Sequence, residues 1–244
     1  IDISPYKFLG PGGKGKPDFV HVIPMPDMFR GEHKVRDANP EEYYIDLLKN
    51  TITKIKKKAK QLAFFIVEPI MGCGGQIIIP SSFMTEAFKI VKEAGGLYMV
   101  DEVQIGFGRV GSHFWGFEMS GVIPDIVTLG KSIGNGHPLS VVITKKNIAE
   151  AFNNGMEYFN SFGGNPVSCE IGQAVLDIIK QEELQKNAHE TGAYLLDGLK
   201  DIQNKYNIIG DVRGRGLFIG IELIKNHYKM MPAPDETELV VNQM

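Results

Sequence analysis

Several common chemistries find little material in this chain. Its 244 residues include two cysteines, one tryptophan and six histidines. Cys73 and Cys169 lie far apart, with neither the C-x-x-C spacing of a zinc site nor the density of a disulfide scaffold, so a reducing interior is the default expectation. The histidines are scattered without ligand spacing, and no metal site is predicted. No Gly-x-Ser-x-Gly elbow occurs, and nothing marks a serine or cysteine nucleophile. Neither sign of charge dominates, 26 Lys and Arg standing against 29 Asp and Glu, so the clustered cations that hold a phosphate backbone are missing and nucleic acid is not an expected partner. The one basic run, Lys54 to Lys60, ends a helical pattern and reads as a solvated face. No apolar run approaches the roughly 18 residues of a membrane helix, and a membrane is not an expected partner either. The hydrophobic content of 43% is that of an ordinary globular protein and excludes disorder.

The hydrophobic pattern then organises the chain. The first forty residues are rich in Pro and Gly and read as loop with one strand at most, over Phe19 to Ile23. From Glu41, Tyr44, Leu47, Leu48, Ile52 and Ile55 recur at helical spacing behind Asn39-Pro40, which predicts a helix of about 20 residues. Strands are predicted over Leu62 to Ile70, Leu97 to Val103, Ile126 to Leu129 and Val141 to Thr144, with a helix over Ser81 to Ala94. Asn147 to Asn154 and Val167 to Tyr206 read as helices, the second broken near Glu182 and Gly192, and Val212 to Ile224 as a strand pair that begins a different unit. Apolar strands separated by helices argue for an α/β fold with a mainly parallel sheet covered by helices on both faces. The chain starts at Ile1 without a charged-then-apolar leader and stops in a polar stretch, Pro232 to Met244, with no closing element, so a fragment is expected.

In such sheets ligands bind beyond the carboxyl ends of the strands. Asp101 and Glu102 end one strand, where a carboxylate needs a cationic partner to offset its desolvation. Lys131 follows another, ahead of the turn Gly134-Asn135-Gly136-His137-Pro138. An acid and an amine on neighbouring strand ends suit pyridoxal phosphate, the lysine forming the Schiff base and the aspartate holding the ring nitrogen protonated. Gly106-Phe107-Gly108-Arg109-Val110-Gly111 matches the dinucleotide fingerprint letter for letter, but the residues that follow it sustain no helical spacing, so that reading is set aside.

The chain resembles the class III, or ω-amino acid, pyridoxal-phosphate aminotransferases. The resemblance is carried, in family order, by Val67-Glu68-Pro69-Ile70, Val100-Asp101-Glu102-Val103-Gln104, Gly106-Phe107-Gly108-Arg109, Pro124-Asp125-Ile126-Val127-Thr128-Leu129-Gly130-Lys131, Phe162-Gly163-Gly164-Asn165-Pro166 and Val212-Arg213-Gly214-Arg215-Gly216-Leu217. Within the family it is similar to the alanine-glyoxylate aminotransferase 2-like branch, which includes ethanolamine-phosphate and 5-phosphohydroxy-L-lysine phospho-lyases, through stretches such as Gly74-Gly75-Gln76-Ile77-Ile78 and Glu157-Tyr158-Phe159-Asn160. The resemblance implies the large domain of the fold type I transferases over residues 1–205 and the start of a small α+β domain over residues 206–244. It further implies Lys131 as Schiff-base lysine and proton shuttle, Asp101 as pyridinium partner, Val103 against one ring face and Gln104 as donor to the ring hydroxyl. Ser161 stands for the family's threonine, whose hydroxyl reaches the cofactor phosphate of a neighbouring subunit, so a homodimer with a shared site is implied.

Two departures bear on the reaction. Cys73 stands where many glutamate-using relatives carry a second glutamate that pairs with a substrate-binding arginine, which weakens the case for a dual-substrate transaminase. Against that, Glu68-Pro69 is the aminotransferase form, where the phospho-lyases compared have Glu-Ser. The resemblance puts the family's phosphate loop and ring-stacking aromatic before Ile1. The expected reaction is elimination of phosphate and ammonia from a primary amine such as ethanolamine phosphate or phosphohydroxylysine; the alternatives are an ω-aminotransferase and an inactive, assembly-only form. A mitochondrial location is implied by the resemblance alone.

Overall fold

The computed structural model describes residues 2–244. A short helix, α1 (Pro5–Phe8), precedes a long irregular stretch. Helix α2 (Pro40–Lys57) follows the predicted spacing, with Tyr44, Leu48, Ile52 and Ile55 buried along one stripe and Pro40 in the first turn, where its missing N–H has no partner to lose. Asn39 sits at the cap position in a left-handed conformation, yet its side chain makes no capping bond.

Four strands form the main sheet, in the order β1 (Phe64–Val67), β4 (Leu97–Asp101), β5 (Ile126–Leu129), β6 (Val141–Thr144). β1, β4 and β5 run parallel, and β6 closes the edge antiparallel, so the sheet is mainly parallel as expected. Between β1 and β4 lie a small antiparallel hairpin, β2 (Ile70–Met71) with β3 (Ile77–Ile78), and helix α3 (Ser81–Glu93). Helices flank the sheet. Tyr44, Leu48 and Ile52 of α2 and Phe83, Ala87 and Val91 of α3 form one core with Val67, Tyr98 and Val100. Full burial of each such side chain contributes roughly 1.5–3 kcal/mol. A second cluster, Phe107, Val127, Leu129 and Ile133, is covered by Leu176 and Ile179.

Helix α4 (Lys146–Phe152) follows β6, and an exposed loop leads to α5 (Pro166–Gln181), whose cap is Asn165 accepting from the Val167 and Ser168 amides at 3.0 and 3.2 Å. Helix α6 (Leu184–Gln203) then packs on a three-stranded antiparallel sheet, β7 (Ile209–Arg215), β8 (Phe218–Asn226) and β9 (Met231–Pro232), and the last helix is α7 (Pro234–Gln243).

Four expectations are corrected. Phe19 to Ile23 is not a strand: the Val20 amide closes a turn onto the Pro17 carbonyl, and Pro24 and Pro26 follow without the donors a ladder needs. The predicted break at Glu182 is real, with Glu183 left-handed, but α6 runs through Gly192. That glycine serves contact, since a Cβ there would stand 2.1 Å from the Gly216 carbonyl oxygen. The stretch from Pro232 does close on an element, because Pro234, Asp235 and Glu236 start α7 and Lys225 pairs with both acids at 2.9 and 3.4 Å. Finally, Glu102 meets no cation, as described below.

Candidate active site

The carboxyl ends of the three parallel strands line up. Val67 of β1 pairs with Val100 of β4, and Asp101 pairs with Thr128 of β5, so Glu68, Asp101 and the Thr128-Leu129-Gly130-Lys131 exit are neighbours across the sheet. Adjacent strands stand about 4.8 Å apart, which puts all three exits within one small ligand's span.

Asp101 is half-buried, and the Val103 amide donates to its Oδ1 at 2.9 Å. Among the described residues no hydrogen bond engages its Oδ2. Val103 leans toward the lysine strand: a Cβ on Gly130 would lie 3.4 Å from its Cγ1. Gln104 lies against the hairpin loop, with a Cβ on Gly72 3.2 Å from its Cγ. Lys131 opens a 3-10 turn, Lys131–Ile133, after extended Gly130, with φ at 41°. A left-handed lysine stores strain of order 1–3 kcal/mol, and such strain gathers at functional sites. Its side chain is exposed and forms no ion pair among the described residues. Beside it, Arg109 donates to the Ser132 hydroxyl at 2.9 Å. Thr128 contributes a buried hydroxyl without a hydrogen-bond partner.

Two carboxylates differ from the sequence reading. Glu102 is buried and accepts the Gly116 and Phe117 amides at 2.9 and 2.8 Å, the free donors at the start of the 3-10 helix Gly116–Ser120. Burial pushes its carboxyl up to about 7 even against those two bonds, so this acid is met by dipoles rather than by the expected cation. Glu68, read from sequence only as part of a motif, stands in the crevice itself. Its Oε2 accepts the Gly72 amide at 3.1 Å. Burial raises its pKa, the Gly72 bond opposes that, Asp101 raises it further and Lys131 lowers it. Glu68 thus lies within electrostatic range of both Asp101 and Lys131. The signal available in sequence was position: Glu68 follows the first parallel strand as Asp101 ends the second.

Cys73, at the tip of the β2–β3 loop, is exposed, and a hydrogen bond with it raises the Tyr6 hydroxyl's pKa. Ser161 lies in the exposed loop before α5, and no hydrogen bond or ion pair joins it to Asp101 or Lys131 among the described residues. The glycine-rich run from Gly106 to Gly111 forms turns and opens no helix, which excludes the dinucleotide geometry.

Residues 14–243 match the family aminotransferase class-III. The chain belongs to the class-III aminotransferases. It is 45% identical over 248 residues to a Drosophila melanogaster protein named alanine–glyoxylate aminotransferase 2-like, covering 100% of this chain and 50% of the relative. It is 41% identical over 261 residues to human alanine–glyoxylate aminotransferase 2, mitochondrial, covering 100% of this chain and 49% of that protein. Among solved structures, a phospholyase from Arthrobacter in complex with phosphoethanolamine superposes with a TM-score of 0.86 at 35% identity, over 93% of this chain and 54% of that one. The chain thus spans about half the length of the relatives it matches.

Pyridoxal 5′-phosphate is the cofactor of this class-III fold. The donor set fits it chemically: a carboxylate with an oxygen to spare for a ring nitrogen, an isopropyl group and an amide beside it, and an exposed primary amine from the adjacent strand.

Proposed function

We propose that the chain carries the lysine-bearing half of an enzyme that uses pyridoxal phosphate to eliminate phosphate and ammonia from a primary amine with a phosphate on the neighbouring carbon. What supports the proposal is that Asp101 ends β4 and Lys131 follows β5, the adjacent parallel strand, with Asp101 in register with Thr128. Elimination is favoured over transamination by two features: Cys73 occupies the hairpin tip, where dual-substrate relatives carry a glutamate, and the Arthrobacter phospholyase shares the fold with phosphoethanolamine bound.

Bound in this crevice, pyridoxal phosphate supplies an aldehyde that captures an amine and a ring that accepts an electron pair. Lys131 would hold it through its exposed primary amine and, once freed, would serve as the base for the proton on the carbon next to the substrate amine. Asp101 would keep the ring nitrogen protonated, with Oδ2 free of other hydrogen bonds among the described residues, while Val103 would pack on a ring face and Gln104 would donate to the ring hydroxyl. In elimination, the cofactor would supply the electron sink that lets phosphate leave the neighbouring carbon, the products after hydrolysis being phosphate, ammonia and an aldehyde. Ser161 belongs to a second half-site, its hydroxyl reaching the cofactor phosphate of a neighbouring subunit in a homodimer. Residues 206–244 open the second, smaller domain, and the protein works in mitochondria, as the human relative's name suggests for that protein.

Incubation with ethanolamine phosphate and measurement of free phosphate is the deciding experiment. Release that falls about 10³-fold or more in Lys131→Ala is the expected result. No release, with amino transfer to pyruvate or glyoxylate, favours the ω-aminotransferase reading, which Glu68-Pro69 supports. Neither activity, with no visible cofactor band, leaves the assembly-only form.

A further inference from the structure

Glu68 has no part in the steps above, yet its place is specific. It leaves β1 one residue beyond the Val67–Val100 pair, so it flanks Asp101 on the side away from the lysine strand. Its Oε2 accepts the Gly72 amide at 3.1 Å, which ties a half-buried carboxylate to the start of the hairpin loop beside the strand end. We propose that Glu68 is a positioning residue of the cofactor site, a second carboxylate behind Asp101 whose negative charge stabilises the protonated nitrogen that Lys131 presents. This rests on the cofactor reading given above and adds a residue to it.

The charges around Glu68 can be enumerated by element. Asp101 faces it from β4 and disfavours its ionised form; Lys131 faces it from the turn after β5 and favours that form. Tyr6 of α1 also senses Glu68, across the Cys73 thiol at the hairpin tip. Arg213 of β7 reaches the far end of the same loop, where its Nε donates to the Gly75 carbonyl at 2.9 Å, but its charge is taken up by Asp211 at 2.8 Å and Glu222 at 2.7 Å. Lys131, whose charge lowers the Glu68 pKa, makes no ion pair among the described residues. Two strand spacings put about 10 Å between the exits of β1 and β5, and at an effective dielectric of about 20 to 40 a unit charge at that range is worth about one pH unit on a titrating nitrogen.

The test compares wild type, Glu68→Gln and Glu68→Asp, each loaded with pyridoxal phosphate, by titrating the visible absorbance band with pH. The midpoint is expected to fall by about one pH unit in Glu68→Gln. In Glu68→Asp, which keeps the charge but withdraws it by one methylene, the fall should be smaller and in the same direction. An unmoved midpoint in Glu68→Gln with the band intact overturns the proposal and leaves the cofactor reading standing. If Glu68→Gln does not fold, Glu68→Asp decides in the same way, an unmoved midpoint again counting against it. Absence of any band in wild type instead sinks the cofactor reading, and the role of Glu68 falls with it.

Discussion

Two aspartates sit at opposite ends of the same sheet and are treated in opposite ways. Asp125, at the amino end of β5, is buried at 3% exposure and saturated: Lys92 and Lys145 reach it at 2.7 and 2.8 Å, and the Tyr98 amide donates at 2.9 Å. Burial alone would raise its carboxyl, but the bonds from Lys145, Lys92 and Tyr98 outweigh that and hold it near 2. Asp101, at the carboxyl end of β4, is half-buried and receives only the Val103 amide. One acid is spent on joining α3, β4 and the start of α4 to the sheet; the other keeps hydrogen-bonding capacity in reserve. The comparison teaches that accumulated partners mark a structural carboxylate, whereas the spare capacity of Asp101 is what the proposed cofactor role requires.

Asparagine at each position should separate the two roles. Asp101→Asn is expected to lower turnover about 10²–10³-fold while the urea midpoint stays close to wild type, because its single intramolecular bond, to the Val103 amide, survives the change. A stability loss without an activity loss there would erase the contrast. Asp125→Asn should do the reverse, lowering unfolding free energy by about 2 kcal/mol at neutral pH with the visible cofactor band unchanged. The sign follows from the depressed pKa: the contribution is present above the ordinary value of 3.8 and is lost as pH falls toward about 2. Urea titrations of wild type and variant should therefore converge only as pH falls through about 2.

The same contrast explains what could be read from sequence. β5 and β6 were legible to the residue because four consecutive apolar or β-branched side chains admit one reading between polar breaks. Asp101 and Lys131 were legible because strand ends locate ligands in parallel sheets, whatever the side chains. Phe19 to Ile23 misled because apolar content cannot reveal that prolines on both sides leave a ladder without donors. Gly192 misled because close contact between a helix and a distant turn leaves the same letter as a helix break. Glu68 was visible only as part of a motif, since its nearness to Asp101 depends on the β1–β4 register. For Ser161 the structure shows an exposed loop, and the proposed role there came from the resemblance alone.

Glu102 tests the comparison at its finest. It is as buried as Asp125 but neighbours Asp101, and it is satisfied by two amides rather than by two lysines. Dipoles cannot cancel the desolvation of a full charge, so its pKa rises from 4.5 to about 7, where Asp125's falls. A raised folded value reverses the linkage: the stability tied to neutral Glu102 is complete below 4.5 and is lost as pH rises through about 7. Stability measured by urea should therefore decline by about 1 kcal/mol between roughly pH 6 and 8 in wild type. In Glu102→Gln, which cannot ionise, that slope should vanish. The variant should also be less stable at low pH, because a side-chain amide offers one acceptor where two backbone donors wait. A slope that persists in Glu102→Gln would assign the titration to another group and leave the dipole-held acid ionised across this range.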